Sequence, residues 1–124
     1  MDRRNFLWVD GLAGAIAGVL MLALSGVLAS FYDLPQKLLV FNGIVNLIYG
    51  SYSLNLARRD TRSMGWIHFL VAANSFWVLV CFALAAYFYP TANIFGMLHL
   101  IGEGLFVGTL AVLEWRWRND LTRP

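Results

Sequence analysis

The chain has 124 residues, of which 60% are hydrophobic and 13% charged, with a net charge of +2 and a mean hydropathy of +0.65. Soluble domains carry roughly 25% charged residues, so the composition excludes an ordinary water-soluble fold and makes the lipid bilayer part of the solvent. The nine basic residues form no single patch, which argues for no nucleic-acid partner, and the lone Cys81 excludes an intrachain disulfide and a thiolate metal cluster.

A hydrocarbon core about 30 Å thick takes about 20 helical residues to cross. The first stretch long enough is 6–31, in which Asp10 is the only charged residue. Its Asp2-Arg3-Arg4 flank looks like the start of a signal peptide. The apolar run is much longer than a signal core, so an uncleaved helix is expected. After the turn at 32–36, with Pro35, comes 38–57, which has no Asp, Glu, Lys or Arg. The basic connection 58–62 follows, and then 65–89, again without a charge. The turn at 89–91, with Pro90, leads into 92–113, where Glu103 is the only charged residue. Short connections make neighbouring helices antiparallel. The expectation is therefore an all-α membrane protein, a single domain over 1–124 built as a four-transmembrane-helix up-down-up-down bundle.

Lys and Arg are retained on the cytoplasmic face of a membrane. Arg3, Arg4, Arg58, Arg59, Arg62, Arg116, Arg118 and Arg123 all fall on one side of the expected bundle, and only Lys37 on the other. Both termini are thus predicted cytoplasmic in the inner (plasma) membrane, N-in and C-in. Trp8, Phe31, Tyr32, Trp66, Tyr87, Tyr89, Trp115 and Trp117 fall near the expected interfaces, as aromatic belts do. Trp77 falls in mid-span.

Small residues let membrane helices approach closely. Gly14-xxx-Gly18 and Gly104-xxx-Gly108 are expected to pack within the monomer rather than form a homo-oligomer face, although a homo-oligomer or another membrane partner is compatible with the pattern. Polar residues at membrane depth are more informative. A rise of 1.5 Å per residue puts Asn46, Asn74 and Glu103 about 15 Å from an interface, Asn42 and His99 about 10 Å from the outer face, and Asp10 and His68 about 5 Å from the inner face. Asn42, Asn46, Tyr49 and Ser53 share a stripe of one helix, and His99 and Glu103 form an i,i+4 pair on another. Asp10 is expected to pair with Arg3 and Arg4 at the interface.

A carboxylate at the bilayer centre costs at least about 2.5 kcal/mol, so Glu103 is expected to face the interior and to bind either a proton or a ligand. Glu103, His99, Asn46, Asn74, Asn42 and Tyr49 form the candidate small-molecule site, with Asp10 and His68 a second polar cluster. The expectation is a small-molecule or proton-linked carrier. The competing expectation is a non-catalytic membrane subunit, or a lipid- or partner-interacting protein, in which the same residues only hold helices together. No cofactor or metal is expected, because His68 and His99 differ in depth by about 15 Å, too far to share a haem iron. No catalytic residue is expected either, since the familiar hydrolase, phosphate-binding and metalloprotease motifs are absent.

Overall fold

The computed structural model describes residues 3–122, the side chain of Arg4 excepted; Arg123, counted above for orientation, lies outside the described residues. Among those residues the fold is all-helical, without strands. A 3-10 turn at Arg3–Asn5 leads into α1 (Phe6–Ala23), followed by α2 (Ser25–Tyr32), α3 (Gln36–Ala57), α4 (Met64–Phe88), α5 (Ile94–Arg116) and the short α6 (Arg118–Thr122). The stretch expected as one helix over 6–31 is interrupted at Leu24, next to a Ser-Gly pair, a sequence at which helices commonly bend. Gln36 Nε2 donates to the Ser25 side chain there, at 3.1 Å.

Helices α1, α4 and α5 are long and apolar enough to cross a membrane, with mean hydropathies of 1.9, 2.2 and 1.6 over their most apolar windows. Apolar side chains such as Leu79 (68% exposed), Phe76 (64%) and Leu105 (61%) face outward. An outer surface of this kind belongs in lipid, where it costs nothing to leave uncovered. Helix α3 has comparable length but carries Gln36, Lys37, Asn42, Asn46 and Asn55, which make it less apolar than the other three.

The long helices lie in two pairs. α1 runs antiparallel along α3 through a glycine seam: a Cβ on Gly14 would sit 3.1 Å from the Gly50 Cα, one on Gly18 would sit 2.7 Å from the Gly43 carbonyl oxygen, and one on Gly50 would sit 2.6 Å from the Ala15 nitrogen. The Gly14-xxx-Gly18 motif is therefore spent within the monomer. α4 and α5 form the second antiparallel pair, with Gly104 against Cys81 and Phe82. Between the two pairs the long helices stay further apart, and the backbones meet at the proline-turn end, where the Asn93 N–H donates to the Tyr32 carbonyl at 3.1 Å and a Cβ on Gly96 would sit 2.7 Å from that oxygen.

Two apolar clusters close the ends between the pairs. At the arginine-rich end, Leu7, Leu56, Ile67, Leu70, Leu110 and Leu121 pack together, with Leu121 supplied by α6. At the proline-turn end, Leu34, Leu38, Ala85 and Leu100 do the same. Local caps fix both ends: Ser63 and Asn93 accept from the amides of Trp66 and Gly96, and Asn93 also donates to the Phe31 carbonyl at 2.5 Å, tying the two proline turns together.

Candidate functional site

Between the two apolar plugs lies a cavity of about 360 Å³. Each long helix contributes to its wall: Asp10, Ala13 and Gly14 from α1, Asn46 and Tyr49 from α3, Asn74 and Trp77 from α4, and His99, Gly102 and Glu103 from α5. Among the described residues, neither Lys nor Arg lines it. Of the residues expected to form the small-molecule site, all but Asn42 reach the cavity surface.

Glu103 faces inward, with its side chain 9% exposed. Its Oε2 accepts from the Trp77 indole Nε1 at 2.5 Å and from the Cys81 thiol at 3.6 Å, and its Oε1 lies 3.5 Å from His99 Nε2. The mid-span Trp77 is thus a buried hydrogen-bond donor, which answers the need of a buried indole for an acceptor.

His99 is the hub of a chain running along α3. Asn46 Nδ2 donates to Asn42 Oδ1 at 2.7 Å, Asn42 Nδ2 lies 3.3 Å from His99 Nε2, and His99 Nδ1 lies 3.3 Å from the Tyr32 hydroxyl. The Asn46 bond turns the Asn42 amide nitrogen toward His99, so the neutral ring accepts at Nε2 and donates from Nδ1 to Tyr32. Tyr49 joins α3 to α4 by donating to the Ala73 carbonyl at 2.9 Å.

Asn74 shares the cavity wall with Asn46 and Glu103 but hydrogen-bonds neither; its Nδ2 donates to Glu114 Oε1 at 2.8 Å. The reason is register: Gly104 sits against Cys81 and Phe82, which sets Glu103 opposite Trp77 and carries Asn74 toward the arginine-rich end of α5. His68 does not meet Asp10. It is exposed, with its ring 5.4 Å from that of Trp115, whereas Asp10 is 6% exposed and faces Glu114 and Ser53. Nor does Asp10 pair with Arg3, which instead bonds Asp120 at 3.0 Å; the Arg4 side chain lies outside the described residues.

Glu114 lies just past the expected end of the last span and so was not expected at the site. It is fully buried, on a helix that continues to Arg116 rather than ending at 113. Its spacing from Glu103 held the signal, since eleven residues make about three turns and return to the same face within about 20°.

Neither a family model, nor a curated protein, nor a solved structure matches this chain.

Proposed function

We propose that the chain crosses the membrane four times with both termini cytoplasmic, and that it is a proton-linked carrier of a small organic cation. α3 qualifies as the remaining span because its 22 residues reach about 33 Å, its outward residues include Phe41, Ile44 and Ile48, and Asn42 and Ser53 are buried against its neighbours. Arg58, Arg59 and Arg62 share an end with Arg3 and Arg118, which supports the N-in, C-in orientation.

The observation that carries the carrier reading is the cavity itself. Its volume falls within the range of small-molecule pockets, roughly 300–1,000 Å³. Its charged wall residues are acidic, Asp10 and Glu103, and Tyr49, Trp77 and Phe106 supply aromatic faces for a cation. A cation and a proton compete for Glu103, because the carboxyl neutralises one or the other but not both. Two helix pairs whose backbones meet at the proline-turn end, with an apolar cluster at each end, are suited to the rocking that exposes a central site to one side at a time.

The test is uptake of ethidium into vesicles of purified protein under an imposed pH gradient. The wild-type protein is expected to accumulate the dye, and Glu103→Gln to fall to the level of protein-free vesicles with its thermal unfolding in detergent little changed. Equal uptake by the two proteins would remove the carrier reading.

One observation favours a second reading: Glu103 already has two protein donors, the Trp77 indole and the Cys81 thiol. Under it the chain is a non-catalytic membrane subunit or a lipid- or partner-binding protein, and Glu103→Gln costs only about 0.6 kcal/mol for each hydrogen bond it breaks.

A further inference from the structure

A second acidic site lies at the arginine-rich end of the cavity, where α1, α3, α4 and α5 each bring one polar side chain to the same place. Asp10 comes from α1, Ser53 from α3, Asn74 from α4 and Glu114 from α5. Asp10 is 6% exposed, Asn74 3%, and Ser53 and Glu114 are fully buried. The Asp10 carboxyl faces both Glu114 and Ser53. Among the described residues only one oxygen of the group has a fixed donor, the Asn74 amide on Glu114 Oε1 at 2.8 Å. Asp10 Oδ2, Ser53 Oγ and Glu114 Oε2 have no hydrogen-bond partner among the described residues.

That arrangement is costly if both carboxyls are ionised. Two facing carboxylates repel at short range in a medium of low dielectric constant, and an unpaired buried oxygen carries the desolvation cost of its group with nothing to offset it. No Lys, Arg or His among the described residues pairs with either acid. The buried arginine among the described residues at this end, Arg62, is held by the carbonyls of Leu56, Ala57 and Leu121, and His68 is turned outward against Trp115. One proton between the carboxyls resolves the difficulty. It converts one acid into a donor, provides the missing bond between two acceptor-only groups and leaves a single negative charge, toward which the Asn74 amide and the Ser53 hydroxyl can both donate.

We propose that Asp10 and Glu114 are a shared-proton acid pair that forms a second ion-binding station, specific for H⁺, at the arginine-rich end of the cavity. Asp10 belongs to both the pair and the cavity wall, so the station opens onto the space that Glu103 faces. Its place in transport rests on the carrier reading above; the shared proton does not.

Infrared spectroscopy of the protein in lipid at pH 7.5 tests the pair, with Asp or Glu carbon-13 labelled to identify the acid. The wild type is expected to show a carboxylic-acid carbonyl band that is lost in both Asp10→Asn and Glu114→Gln, and kept in Glu103→Gln. The double variant Asp10→Asn/Glu114→Gln preserves shape and can pair amide to amide, so it supplies the same comparison where a single variant fails to fold. A band unchanged by both single substitutions would overturn the proposal. So would a band that appears only when Na⁺ is removed, which would make the site a cation site instead.

The transport role is read separately, from the pH dependence of ethidium uptake. Glu114→Gln is expected to flatten that dependence while uptake persists at its optimum. An unchanged profile beside a dead Glu103→Gln would remove the station and leave the carrier. Absence of uptake in the wild type would remove the carrier and leave the infrared result to decide the pair.

Discussion

Gly50→Ala is expected to destabilise the protein by about 2–3 kcal/mol, the usual scale for forcing extra volume into a packed core. The added methyl would meet the Ala15 nitrogen at 2.6 Å, the Gly11 carbonyl oxygen at 2.9 Å and the Gly14 carbonyl carbon at 3.1 Å. All three are backbone atoms of α1, so no rotamer change relieves the clash. The pair must separate, and with it the close approach at Gly14 and Gly18 that replaces the hydrophobic drive missing in lipid. Gly102→Ala is the matched control. A methyl there meets nothing within 4 Å, and no glycine among the described residues has a positive φ. Alanine is also the better helix former by up to about 1 kcal/mol. Equilibrium unfolding in mixed detergent micelles should show Gly50→Ala shifted strongly downward and Gly102→Ala unchanged or shifted upward. Equal midpoints for the two variants would mean that the α1–α3 seam does not hold the fold.

Helix positions were legible because lipid imposes length. A segment with no water to satisfy its backbone must be helical and apolar over about 20 residues, and such a run shows in the sequence. The expected boundaries at 38–57 and 65–89 differ from Gln36–Ala57 and Met64–Phe88 by at most two residues at either end. Partnerships were far less legible. Counting residues from an interface gives depth alone, while contact also needs azimuth and register. Asp10 and His68 fall at one depth, yet one side chain is buried and the other faces outward. Asn74 and Glu103 also share an expected depth, but the close fit of Gly104 on Cys81 sets the slide of α5 along α4. Spacing on a single helix was the better guide, since the i,i+4 residues His99 and Glu103 do meet. The same spacing extended by three turns leads to Glu114.

Arg62 makes the sharpest contrast between reading a charge and reading a side chain. By sequence it is one of three arginines in a basic connection, equivalent to Arg58 and Arg59 as a determinant of orientation. In the structure Arg59 is exposed and lies over the Trp66 ring at 4.3 Å, and Arg58 is exposed and bonds Asn55 Oδ1 at 3.2 Å. Arg62 is 6% exposed. Its Nε donates to the Leu56 carbonyl at 2.7 Å, and its two terminal nitrogens reach the Leu121 carbonyl at 2.7 Å and the Ala57 carbonyl at 3.0 Å. These acceptors lie at the C-terminal ends of α3 and α6, where helices leave carbonyls unpaired and where a cation is favoured.

The guanidinium thus fastens α6, and with it Leu121, over the apolar plug at that end of the cavity. Arg62→Lys keeps the charge, and so the orientation, but a lysine has no planar fork with which to span acceptors on two helices. The expected destabilisation is about 2 kcal/mol, the scale of one charge-assisted hydrogen bond in a buried site, with little change for Arg58→Lys. Hydrogen exchange locates the effect: the amides of α6 and the last turn of α3 should lose protection in Arg62→Lys while those of the α4–α5 pair keep theirs. Uniform loss across all helices, or none in α6, would show that the plug is held by its leucines alone.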